Sequence, residues 1–262
     1  MFKSISLHPR LAAFLDALIS TAMLWWLLQV GVWWVLFMWV FFRIAFWVVL
    51  IRLVYYPPKV SRLRHFFSLL IFCLGALSTM LFIDWRYTWY LLGLFFIAFP
   101  FISFWLLPSM EDKLFLMSKH HRRWLFLMNV FGLGGLWNGL TAVVAFKILD
   151  ISLWFWLLPT VAISTIIAVW WWQEYGLTRG RQFWFWAAAF ALIMVEAGWV
   201  ILLNPLGNFA QGLLLTWVWY LLWLITRFYL SKEGIDWRRQ KWFLGINLLL
   251  MIIFLVFLAR WK

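Results

Sequence analysis

The segment RQFWFWAAAFALIMVEAGWVILLNPLGNFAQGLLLTWVWYLLWLITRFYL, residues 181–230, decides the class of this protein. It reads as two apolar runs, 183–203 and 209–229, joined by the turn-forming NPLGN at 204–208. Each run has the length of a helix that crosses the hydrocarbon of a bilayer, roughly 20 residues. A helix at a water interface keeps one polar face. These runs have none, and Glu196 is the one acidic residue inside them.

The same pattern extends outward in both directions. The 262 residues are 67% hydrophobic and only 12% charged, with a mean hydropathy of +0.93, which no soluble core could absorb. Between charges, turns and prolines, apolar runs predict helices at about 11–30, 32–54, 66–83, 87–107, 124–146, 151–172, 183–203, 209–229 and 242–259. The first two are separated only by the neighbourhood of Gly31, so they form a tight hairpin or one long broken helix, and eight spans is the alternative count. The expected fold is all-α: a polytopic helical membrane protein of about nine transmembrane helices in a single domain, 1–262. Its helices group as hairpins at about 10–56, 64–108, 123–172 and 181–230, with a final single span at 240–262. GLTRGRQFWF at 176–185 matches GIDWRRQKWF at 234–243 through Gly176 and Gly234, Arg181 and Arg239, and Gln182 and Gln240. Hairpin duplication explains that match, and chance similarity in a biased composition competes with it.

Orientation follows from the basic residues, which cytoplasmic connections retain during insertion. Lys3 and Arg10; Arg52, Lys59, Arg62 and Arg64; Lys113, Lys119, Arg122 and Arg123; Arg179 and Arg181; and Arg227, Lys232, Arg238, Arg239 and Lys241 fall on alternate connections. The other side carries Arg86, Lys147, Arg260 and Lys262. The expected topology is a cell (plasma or inner) membrane protein with a cytoplasmic N-terminus, opened by an uncleaved signal-anchor, and an outside C-terminus. A net charge of +13 in such short punctuation suits anionic lipid headgroups at the cytoplasmic face, and no nucleic-acid partner is expected.

Few residues can carry chemistry. Cys73 is the only cysteine, which excludes an intrachain disulfide. The four histidines lie in no HExxH spacing, and Glu111 and Asp112 with His120 and His121 read as a solvated charge run, so no metal and no cofactor is expected. Charges inside spans are costly, about 2.5–3.5 kcal/mol each on insertion scales, which singles out Asp16, Arg43 and Glu196 as the candidate intramembrane polar site. Arg43 and Glu196 have comparable depths, so a buried Arg43–Glu196 pair with Glu196 facing the bundle interior is expected. Asp16 sits near the cytoplasmic end. Asn129 and Asn138 add amides to the fifth span, where Gly135 and Gly139 form a GxxxG pattern suited to close helix packing. Three function classes stay open: a non-enzymatic packing or assembly subunit that binds partner helices or lipid, a transporter or channel using Glu196, and an enzyme acting on a lipid-linked substrate.

Overall fold

The computed structural model describes residues 7–30, 33–54, 59–82, 86–107, 119–147, 152–204, 206–231 and 237–258. Glu111, Asp112, Lys113 and Lys232 lie outside them. Nine α-helices occur among the described residues: α1 (Pro9–Val30), α2 (Trp33–Val54), α3 (Lys59–Phe82), α4 (Arg86–Trp105), α5 (Lys119–Ala145), α6 (Leu153–Glu174), α7 (Arg181–Leu203), α8 (Asn208–Leu230) and α9 (Trp237–Ile253). The last continues into a π-helical turn at Phe254–Leu258. Six of them, α3 to α8, are long and apolar enough to cross a membrane, the make-up of a multi-pass membrane protein. α1 and α2 are 22 residues each, and the apolar part of α9, Gln240–Val256, is shorter.

The chain divides into two compact units, Met1–Gly132 and Leu133–Lys262, with the division inside α5. In the first, α1 and α2 are a hairpin, not one broken helix. The Leu7 amide donates to the Leu53 carbonyl at 3.0 Å, which brings the start of α1 to the end of α2. α1 also packs along α4. Trp39 and Trp47 from α2, Phe72 from α3, and Phe96 and Phe99 from α4 fill the core, with Phe72 and Phe99 stacked at 4.9 Å between centroids. α3 and the first half of α5 meet backbone to backbone: a Cβ added to Gly132 would lie 2.6 Å from the Ile71 carbonyl oxygen, and one on Gly75 would overlap the Gly132 carbonyl. Small residues permit this approach, and the dispersion it gains replaces the water-driven burial that lipid does not provide.

In the second unit α6, α7 and α8 pack on one another. Indoles fasten them: Trp172 Nε1 donates to the Trp223 carbonyl at 3.1 Å and Trp219 Nε1 to the Ser164 carbonyl at 2.9 Å. Trp25, Trp184 and Trp242 are exposed, whereas Trp172, Trp219 and Trp223 are core residues. α6 ends where Gly176 adopts φ +83°; its amide donates to the Gln173 carbonyl and that of Leu177 to the Trp172 carbonyl, a Schellman closure that needs a residue free of Cβ strain. α9 is held by Met251, Phe254 and Leu255 against Leu206, Ala210 and Leu214. Much of its remaining surface is exposed and apolar, including Ile246, Leu249 and Ile253.

Candidate intramembrane polar site

The antiparallel hairpin α1–α2 sets the depth of its polar residues. Asp16 lies about fourteen residues before the end of α1, and Trp47 about fourteen after the start of α2, so the two are level. Arg43 is one turn nearer the hairpin bend, an axial gap of roughly 6 Å that its long side chain closes. Arg43 Nη2 accordingly sits 3.1 Å from Asp16 Oδ2, and Trp47 Nε1 donates to Asp16 Oδ1 at 2.8 Å. The Asp16 backbone carbonyl accepts from the Ser20 hydroxyl at 2.6 Å and from Arg43 Nη1 at 3.4 Å. The guanidinium also lies over the Trp47 ring, 4.6 Å from its centroid.

Asp16 and Arg43 are each 0% exposed. Two opposite charges, each carboxylate oxygen accepting a hydrogen bond and the cation stacked on an aromatic face, offset part of the desolvation cost each ion would bear alone. With both oxygens engaged, this carboxylate ties α1 to α2.

The expected Arg43–Glu196 pair is therefore corrected. Arg43 is taken by Asp16, and Glu196 lies on the exposed face of α7. Asp16, expected near the cytoplasmic end, is not a solvated interfacial charge, because it is fully buried. Depth along the sequence suggested the wrong partner because it carries no azimuth: in helices apolar on every side, nothing in the pattern says which way a charge points. Two signals did lie in the sequence. Ser20 follows Asp16 by one turn, and Trp47 follows Arg43 by one turn, so each charge has a helical neighbour on its own face.

Asn129 is buried and its amide donates to Ser68 Oγ and to the Leu125 carbonyl, both at 2.8 Å, tying α5 to α3. Asn138 is buried with its Cα against Gly212 of α8, where an added Cβ would approach to 2.7 Å. Its backbone carbonyl accepts from Thr141, whose hydroxyl is also 2.9 Å from the Asn208 carbonyl. Gly135 and Gly139 are buried, and the backbone comes close to its neighbours at Gly75, Gly132 and Gly212.

One buried cluster escaped the sequence reading. His65 Nε2 lies 2.9 Å from Ser103 Oγ, which donates to the Pro100 carbonyl at 2.7 Å, and the His65 and His121 rings meet edge to face at 5.2 Å. These residues come from α3, α4 and α5 and are all 0% exposed. In sequence His121 reads as part of a solvated charge run and His65 as lacking any metal-ligand spacing, and only the fold brings the two rings together. In the second unit, Arg227 stacks over Tyr175 at 3.6 Å, capping the end of α8 with an aromatic ring.

Comparison with protein-family models, with curated proteins and with solved structures finds no match.

Proposed function

We propose that this chain is a non-enzymatic packing or assembly subunit of a membrane complex, crossing the membrane nine times with a cytoplasmic N-terminus and an outside C-terminus. One observation carries the reading: the intramembrane charges Asp16 and Arg43 close on each other at 0% exposure, as a fastening between helices. The amide of Asn129 and the indoles of Trp172 and Trp219 are used likewise, bridging one helix to another. A transport route through Glu196 would need that carboxylate to line an interior, and it lies on an exposed face of α7. The basic residues at helix starts, among them Lys59, Arg62, Arg64, Lys119, Arg122 and Arg123, support an inner face that attracts anionic headgroups.

The test is native mass spectrometry of the chain ejected from vesicles of its own host membrane. A stoichiometric complex larger than the 31.6 kDa monomer is the expected result. A bare monomer, or ion flux from the purified chain in liposomes, would reject the assembly reading.

A further inference from the structure

We infer that the face of α7 around Glu196 docks a membrane helix of a different chain, one that brings a lysine or arginine to the depth of this carboxylate; the inference rests on the assembly reading. Glu196 lies about seven residues from the Leu203 end of α7, roughly 10 Å along the axis, which is deeper than headgroups reach. Leu192 and Val200 sit one turn to either side on the same face, 60% and 56% exposed, with Trp199 and Leu203 completing an apolar stripe. Such a stripe alone needs only lipid. A carboxylate within it does not tolerate lipid, and glutamate is too short to reach the interface as a lysine would.

Among the described residues Glu196 has no ion-pair partner, the described salt bridge being Asp16–Arg43. No described residue supplies its complement, which must be a cation or a strong donor and which we assign to another chain. A second copy is a poor source. Arg43, the basic residue at span depth, is fully buried on Asp16. The other described basic residues of the helices, such as Arg52, Arg64, Arg122 and Arg227, lie in first or last turns or close to them. Charge complementarity therefore selects a foreign helix with a basic residue among apolar ones. The surrounding stripe supplies van der Waals contact and excludes competing water, which strengthens the pair.

The experiment places a photoreactive benzoylphenylalanine at Leu192 or Val200 of the full chain in its host membrane, with Ile166, an exposed residue of α6, as the control position. Expected is an adduct from 192 and 200, but not 166, to one non-identical membrane protein, mapped to a helix containing lysine or arginine. Glu196→Gln should cut the adduct about tenfold, the equivalent of one charged interhelical contact, while thermal unfolding of the isolated chain is unchanged; Glu196→Asp should retain much of it. Adducts only to lipid or to a second copy, a partner helix lacking a basic residue, or a yield indifferent to Glu196→Gln would overturn the inference. A complex seen by mass spectrometry but cross-linked elsewhere defeats this surface and leaves the assembly reading standing. A monomer defeats that reading itself.

Discussion

Replacing Asp16 by asparagine keeps the shape of the α1–α2 site and removes only its negative charge. Trp47 still finds an amide oxygen, and the Ser20 bond is untouched because it goes to the backbone carbonyl. Arg43 remains, fully buried, with no counterion and no neutral form to adopt, so the expected loss is that of a broken buried pair, about 3–5 kcal/mol. Arg43→Gln should cost less, about 2 kcal/mol, because an aspartic acid can be neutralised by one proton and still accept from Trp47. The two substitutions together leave two neutral amides in contact, and the double variant should lose only about 1–2 kcal/mol. Equilibrium unfolding in bicelles, followed by far-ultraviolet circular dichroism, measures all four corners of the cycle. If the double variant loses the sum of the single losses to within about 0.5 kcal/mol, the two residues do not interact and the site is misread. A neutral Asp16→Asn would be equally fatal.

Gly75→Ala and Gly212→Ala should each destabilise by about 1–3 kcal/mol, since the new methyl meets backbone in both cases, whereas Gly245→Ala, with nothing within 4 Å, should be neutral or slightly stabilising in the same unfolding assay. Ser103→Ala removes the hydroxyl facing His65 and should cost about 1 kcal/mol, and retention of full stability would mean the His65–Ser103 contact contributes nothing. Reporter fusions at residues 1 and 262 should report opposite sides of the membrane; both on one side would exclude nine spans. Native mass spectrometry in mixed lipid should retain anionic over zwitterionic lipids, and Arg62→Gln with Arg64→Gln should narrow that preference.

The helices of this fold were legible because hydropathy measures length and composition, and each predicted run from 11–30 to 242–259 overlaps one observed helix. The facing of those helices was not. A soluble helix announces its buried side by contrast with a polar one, but α2 and α6 are apolar all round, and lipid erases the contrast. That is why Arg43 could be identified as costly from sequence and yet be assigned to Glu196. The tryptophans are ambiguous in sequence for a related reason: an indole serves an interfacial belt and a helix cross-link equally well, and Trp219 differs from Trp184 only in which way it points. Asn129 stands out in sequence as an amide within an apolar run, while Ser68, which accepts its hydrogen bond, carries no signal of its own.

If α1 and α2 are spans, as proposed above, the pairing of Asp16 with Arg43 also bears on how the chain enters its membrane. The carboxylate emerges from the ribosome first, and its counterion follows some 27 residues later, a delay of a few seconds at roughly 5–20 residues per second. During that interval α1 is a poor candidate for release into lipid on its own, because its charge has no complement. Completion of α2 supplies one, and under the proposed topology the hairpin would then partition laterally as one object whose two members could not leave separately at the same cost. Under the proposed nine-span topology the pair would thus link the order of synthesis to the order of insertion, the first helix waiting for the second.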